Sequence, residues 1–223
     1  MPEVAAILLA AGSASRFRAA GGEASKLVAT LAGKPLVRHA ADAALASKAR
    51  PIVVVTGYDR EAVEAALAGL PLRFAHNADY ARGLASSLKA GIAALPASAA
   101  AALVLLGDMP AVTPALIDGL IAAFGARPAA LAAAPSAQGR RGNPVLLSRG
   151  LFPAIAGLEG DEGARKLLAG AREGQVIEVE AARNEATFDI DTPEALAEAR
   201  RVLENEPEPS AFGARRPPAK PAG

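Results

Sequence analysis

Three groups of residues in this chain of 223 have the types and spacing to do chemistry. The first follows the apolar run from Val4 to Leu9. It comprises the small residues Ala10, Ala11, Gly12 and Ser13, then Arg16 and, past a Gly21-Gly22 break, Lys26. Backbone approaches a ligand closely only where side chains are small. A turn of exposed N–H groups beside two cations suits a polyphosphate. The expectation is that Leu9 to Ser13, with Arg16 and Lys26, hold a nucleoside triphosphate. A solvated Gly/Ser/Ala surface loop is the other reading that composition leaves open. The segment is not a Walker P-loop, because Lys26 is neither preceded by Gly nor followed by Ser or Thr. It is not a dinucleotide fingerprint either, since no G-x-G-x-x-G opens a helix here.

The second group is Asp108 in LLGDMP. A carboxylate directly after a buried apolar run stands at a strand end, facing a cleft. Mg²⁺ takes a few hard oxygen ligands and bridges to phosphate; a carboxylate in a plain turn is the alternative. The third group is Asp189 and Asp191 in FDIDTPEAL. Two apart in an extended segment, they point to one face. Like charges so placed call for a cation, either a metal or a basic group of the substrate. Asp191 also precedes Thr192-Pro193 and could serve simply as a helix cap.

Other polar sets are less specific. Asn77 offers both donor and acceptor for reading a base edge, and it is followed by Gly83, Ser86 and Ser87. Thr56-Gly57, at another strand end, would flank the same nucleotide. Arg140, Arg141 and Asn143 surround Gly142, and a guanidinium suits phosphate. Arg165 either meets an acceptor phosphate or pairs with Asp161 across one helical turn. His39 and His76 read as structural or solvated.

These residues need a scaffold. Apolar runs recur with helical stretches between them, the pattern of an α/β doubly wound, mostly parallel sheet. Strands are expected at Val4–Leu9, Pro51–Thr56, Leu72–Ala75, Ala101–Leu106, Ala129–Ala134, Pro144–Ser148 and Gln175–Val179. Helices are expected at Leu36–Lys48, from Asp59 (as cap) to Leu67, at Leu84–Leu95, from Pro114 to Gly125, at Asp161–Ala169 and at Glu194–Glu204. Hydrophobic residues make up 52% of the chain but aromatics only 4%, so the core must be aliphatic and alanine-rich. A formal net charge of +1 gives no case for a nucleic-acid partner, and the absence of cysteine excludes disulfides and thiolate chemistry. No segment reaches the roughly 18 apolar residues of a membrane span. Residues 1–205 read as one domain and 206–223, rich in Pro, Gly, Ala and charge, as a disordered tail. A cytoplasmic location is expected.

With LAAGSASRF…K at the first strand end, the chain resembles the nucleotidyltransferases that activate a phosphorylated small molecule, and most of all the MobA/MocA branch. The resemblance runs over about residues 3–203, through LLGDMP, FDIDTPE, Asn77-x-x-Tyr80-x-x-Gly83-Leu84 and Gly160-Asp161-Glu162-Gly163-Ala164-Arg165. One departure is the insert FRAAGGEAS between Arg16 and Lys26, where relatives space R-M-G-x-x-K; another is Asn143, where relatives often carry His. The resemblance implies a Rossmann-like fold of the nucleotide-diphospho-sugar transferase type. It implies Mg²⁺ on Asp108, with Asp191 facing the metal, and Arg16, Lys26 and Asp108 as catalytic residues. Nucleotide would lie on Leu9 to Ser13, Thr56, Gly57, Asn77, Gly83 and Ser86, and the acceptor on Arg141, Asn143, Arg165 and Asp189. The implied reaction is transfer of CMP from CTP to molybdopterin, with a molybdoenzyme or its chaperone as a further partner. Ala11, where guanylyl-transferring relatives tend to carry Gly, is the cue for CTP. GTP, another acceptor such as a sugar phosphate, and a non-catalytic cofactor carrier all stay open. A dinucleotide-dependent oxidoreductase is set aside for want of a glycine fingerprint and of an acidic residue on the second strand.

Overall fold

The computed structural model describes residues 3–22, 25–172, 174–182 and 186–204. The stretch 206–223, expected as a disordered tail, lies outside them, as do 23 and 24 of the insert. The chain begins with β1 (Val4–Ala10), α1 (Ser15–Ala19), a small hairpin of β2 (Thr30–Leu31) and β3 (Lys34–Pro35), and α2 (Leu36–Ala46). Then come β4 (Ile52–Thr56), α3 (Arg60–Ala66), β5 (Arg73–His76), α4 (Leu84–Ala93), β6 (Ala101–Leu106) and α5 (Pro114–Gly125). The last part holds β7 (Ala132–Ala137), β8 (Arg140–Arg141), β9 (Val145–Ser148), α6 (Phe152–Ile155), α7 (Ala164–Leu168), β10 (Val176–Glu180) and α8 (Pro193–Glu204).

The main sheet runs β5-β4-β1-β6-β9-β7-β10, with β8 paired to β7. Strands β5, β4, β1 and β6 are mutually parallel, as are β7 and β10. Strand β9 runs antiparallel between β6 and β7. All seven residues of β1 are buried, because both faces of the strand are covered. Val4, Ala6, Leu8 and Ala10 point to the face holding α2, α3 and α5, where Val37, Val63, Ile117 and Leu120 meet them. Ile7, Leu9 and Ala11 point to the other face, against Ala85 and Leu88 of α4 and Leu168 of α7. A smaller cluster of Phe17, Leu31, Leu36, Ile190, Leu196 and Ala199 docks α8 beside α1 and the hairpin. Among the described residues, no helix is long and apolar enough to cross a membrane.

Local chemistry accounts for most element ends. Thr113 Oγ1 accepts from Leu116 N at 3.2 Å with Pro114 in the first turn, so α5 begins where expected. Three expectations shift. Asp59 precedes α3, but its backbone is left-handed (φ 53°) and its side chain makes no cap bond. Strand β7 starts at Ala132, because Ala130 N is taken by Arg127 O at 2.9 Å in a turn. Helix α7 starts only at Ala164, because the residues before it turn onto α4, where Ala85 N donates to Gly160 O at 2.9 Å.

Leu103 is fully buried in β6, the strand that delivers Asp108. Leu103→Ala should cost about 2–5 kcal/mol of stability. Urea unfolding measures it; a loss below about 1 kcal/mol would mean that this part of the core is loosely packed.

Candidate active site

The strand order reverses between β1 and β6. Connections from β1 lead outward through β4 and β5 on one side, and β6 opens the other. Loops leaving the carboxyl ends of β1 and β6 therefore face one crevice. They are stitched together where Gly107 N donates to Leu9 O at 3.0 Å. A cavity of about 480 Å³ opens there, walled by the 11–16 loop, Lys26, Gly107, Asp108 and Tyr80. A second cavity of about 390 Å³ adjoins it, walled by apolar side chains of α4, β6 and α7 together with Arg141, Asn143 and Arg165. Leu9, Leu84, Leu106 and Asp161 line both.

The charged centre is built from three distant parts of the chain. Lys26 Nζ, 9% exposed, donates to Asp108 Oδ2 at 2.7 Å and to Asp191 Oδ1 at 2.8 Å. Arg16 Nη1 donates to the other oxygen of Asp191 at 2.8 Å. The cation that the paired aspartates call for is thus the chain's own Lys26. Ile190, fully buried in the third cluster, donates its N–H to Asp108 O at 3.1 Å. That bond lays Asp189 and Asp191 beside the end of β6. Thr192, not Asp191, caps α8, with Ala195 N donating to its Oγ1 at 3.2 Å. The carboxylate of Asp191 is left for the two cations.

Ionisation follows from this packing. Burial alone pulls the Lys26 ammonium down, but Asp108 and Asp191 outweigh it and hold its pKa above the ordinary 10.5. The hydrogen bond from Lys26, aided by Arg16, holds Asp191 below the ordinary 3.8. Asp189 is pushed up, first by burial and then by the nearby Asp191 and Asp108 carboxylates.

A divalent metal fits this centre. Asp108 Oδ1 is buried and has no hydrogen-bond partner among the described residues. A hard carboxylate oxygen in that condition is a ready ligand for a hard cation. No group of three or more His, Cys, Asp or Glu side chains among the described residues is placed to hold a metal. Two carboxylates with substrate phosphates and waters are the usual set for Mg²⁺.

The other expected residues divide. Leu9, Ala11, Gly12 and Ser13 line the larger cavity, whereas Ala10 is turned into the core on the opposite face. Thr56 is fully buried, donating to Glu64 Oε1 at 3.3 Å. Gly57 lies under the loop: a Cβ there would stand 2.6 Å from Tyr80 Cβ and 2.9 Å from Ala11 O. Asn77 is buried and spends its amide internally, donating to Ser86 and Ser87 at 2.9 and 3.0 Å and accepting from Asp79 N at 3.0 Å. Asn77 and Ser86 thus hold the turn that aims Tyr80, Gly83 and Ser87 at the cavity. Gly83 has φ +95°, and a Cβ there would lie 2.4 Å from Gly160.

Arg141, Asn143 and Arg165 line the smaller cavity, and Asp189 does not. Arg141 is already paired with Glu178 at 2.7 Å. Of the two readings of Arg165, the pairing with Asp161 does not form; the pair across one turn here is Lys166 with Glu162. Arg165 has no hydrogen-bond or ion-pair partner among the described residues and faces the smaller cavity, whose mainly apolar wall also carries Arg141, Asn143 and Asp161. His39 Nε2 lies 2.9 Å from Leu31 O, a structural bond. Sequence reasoning missed Asp161 as a wall of both cavities and Ile190 as the anchor between the aspartates. An apolar residue flanked by two carboxylates in an extended segment was the available signal for Ile190.

Comparison with known proteins gives three findings. The model described as MobA-like NTP transferase domain matches residues 6–177. Nicotine blue oxidoreductase of Paenarthrobacter nicotinovorans is 31% identical over 204 residues, covering 88% of this chain and 96% of that protein. Among solved structures, Rv0371c from Mycobacterium tuberculosis superposes with a TM-score of 0.73 at 25% identity, over 90% of this chain and 98% of that one. A structure of the same mycobacterial protein in complex with manganese gives 0.71 at 23% identity, over 90% and 98%. A nucleotidyl transferase from Methanothermobacter thermautotroptrophicus gives 0.76 at 23% identity, over 92% and 99%.

Because Asp191 is held below its ordinary value, its contribution to stability is complete above about pH 3.8 and is lost as pH falls through the lowered value. Asp191→Asn should lower the urea midpoint at pH 7, and that difference from the parent should shrink as pH drops below 3.8. A difference constant from pH 7 down to about pH 3 would show that folding leaves the Asp191 carboxyl unshifted.

Proposed function

The chain belongs to the MobA-like NTP transferase domain family, and on that premise we propose that it transfers CMP from CTP to the phosphate of molybdopterin, releasing pyrophosphate. The observation that carries this reading is the adjoining pair of cavities at the β1/β6 crevice. One has a small-residue loop, Lys26 and Asp108 in its walls, and the other is mainly apolar, with Arg141, Asn143, Asp161 and Arg165 in its walls. The first suits a triphosphate; the second suits a flat heterocycle with hydrogen-bonding edges and one anionic group. Residues 1–205 form one transferase domain in this reading.

The acceptor's phosphate oxygen forms a bond to the α-phosphorus of the nucleotide as the bond to the β-phosphate oxygen breaks. The acceptor phosphate is already ionised at neutral pH, so no strong base is required. Catalysis is then mostly positioning and charge neutralisation. Gly12 and Ser13 offer backbone close to the triphosphate, and Arg16 and Lys26 neutralise the departing pyrophosphate. Arg165 orients the acceptor across the wall formed by Leu84 and Asp161. Mg²⁺ held by Asp108 and Asp191 would supply charge neutralisation at the α-phosphate. The choice of CTP rests on Ala11 alone, whose methyl narrows the loop where guanylyl-transferring relatives tend to carry Gly. A molybdoenzyme or its chaperone would receive the product, and the residues involved suit a cytoplasmic reaction.

One observation favours a second reading. The relative from Paenarthrobacter, matched over 96% of its length, is named nicotine blue oxidoreductase, and the mainly apolar wall of the smaller cavity suits an organic substrate. Pyrophosphate release with Mg²⁺, molybdopterin and each of the four NTPs, run beside reduced-nicotinamide-dependent bleaching of nicotine blue, separates the two. Release with CTP is expected. Bleaching with no release from any NTP would overturn the transferase reading.

Asp108→Ala should abolish turnover, and Lys26→Ala should lower kcat/KM at least about 100-fold, as removal of one transition-state donor does. Arg165→Ala should raise the acceptor KM with little change in the KM for CTP. Steady-state kinetics of the three purified variants test these assignments, and parent-like rates in the first two would refute the mechanism.

A further inference from the structure

We propose that Lys26 is an internal stand-in for the divalent metal, so that the metal is admitted to Asp108 and Asp191 only together with nucleotide. The proposal rests on the nucleotidyl-transfer reading, and it concerns the order in which the site is filled. Its basis is where the carboxylate oxygens are spent. Asp108 Oδ2 and Asp191 Oδ1 both accept from the one Lys26 Nζ, at 2.7 and 2.8 Å, and Asp191 Oδ2 accepts from Arg16. Of these four carboxylate oxygens only Asp108 Oδ1 is without a partner, and it is buried. Ser25 Oγ, next to Lys26 in the chain, is also buried and without a partner among the described residues. A metal arriving alone therefore meets one free carboxylate oxygen and a full positive charge already seated between its two ligands.

A triphosphate changes that balance. Lys26 and Arg16 both line the larger cavity, as do the loop residues Gly12 and Ser13. Phosphate oxygens placed there compete with the aspartates for both cations. Arg16 turning to phosphate frees one carboxylate oxygen for the metal and Lys26 frees two, and the phosphates add ligands of their own. Nucleotide and metal then help each other's binding by the same factor, as linkage requires. Before substrate arrives, the exchangeable ammonium keeps the carboxylates from repelling one another.

The test is binding of Mn²⁺, followed by its electron paramagnetic resonance, to the purified full chain with and without a non-hydrolysable CTP analogue. In the parent, Mn²⁺ alone should bind weakly, and the analogue should tighten binding at least about tenfold beyond its own affinity for the ion, the order of a 1.4 kcal/mol coupling. Lys26→Met should bind Mn²⁺ alone at least about tenfold more tightly than the parent, and adding Asp108→Asn to it should remove the gain. Should Lys26→Met fail to fold by circular dichroism, Lys26→Gln serves, and the parent's coupling is readable without any variant. Equal or weaker Mn²⁺ binding by a folded Lys26 variant overturns the proposal, as does tight binding to the parent without nucleotide. These outcomes do not depend on turnover. Silence in the pyrophosphate assay would count against the transferase reading, while unchanged Mn²⁺ binding in an active enzyme would count against the stand-in alone.

Discussion

Everything in this molecule's crevice depends on one buried ammonium held between two carboxylates. Lys26 reaches Asp108, 82 positions on, and Asp191, 165 positions on. Taking a charge out of water costs several kcal/mol, and only well-aligned opposite charges offset it. Removing one partner of a fully buried pair costs about 3–5 kcal/mol; with Asp191 36% exposed, solvent screening lowers the cost here. The interaction therefore joins the first strand's loop, the end of the central β6 and the C-terminal segment into one unit. The hydrogen bond from Ile190 N to Asp108 O and the apolar cluster around Ile190 give that unit its rigid backing.

The alanine-rich composition has a direct structural use. Small side chains let backbones come close, and the crevice is assembled from such approaches. Gly57 lies against Ala11, Gly83 against Gly160, and Gly107 beside Leu9 O. At Gly83 the approach and the positive φ both demand glycine. The result is that the segment before α7 closes directly on the start of α4, and the two cavities share a thin wall.

Much of this was legible in the sequence, and the reasons are specific. The runs Val4–Ala10, Ile52–Thr56 and Ala101–Leu106 are continuous because parallel strands covered on both faces admit no polar side. Thr113-Pro114 announces its helix through a local hydrogen bond. The direction of β9 was not legible, since period-two patterning is the same for parallel and antiparallel strands. Nor was the pairing of Lys26 with two aspartates, which depends on contacts across most of the chain. Asn77 looked free to read a base, but its amide is consumed by Ser86, Ser87 and Asp79 N. Arg141 looked free for phosphate, but Glu178 from the neighbouring β10 takes it. In each case a side chain's type was readable from the sequence and its partner was not.

The separation of 165 residues between Lys26 and Asp191 also has a meaning in time. A ribosome adding about 5–20 residues per second needs roughly ten to thirty seconds to make that stretch. Through that interval the nascent chain can pair β1 with β4 and β6, yet its ammonium faces one carboxylate instead of two. A segment made late, Ile190 and Asp191, supplies both the second carboxylate and the apolar plug behind it. Competence at the crevice therefore waits until synthesis has passed Asp191, and a chain released short of it would keep much of the sheet while lacking a finished site.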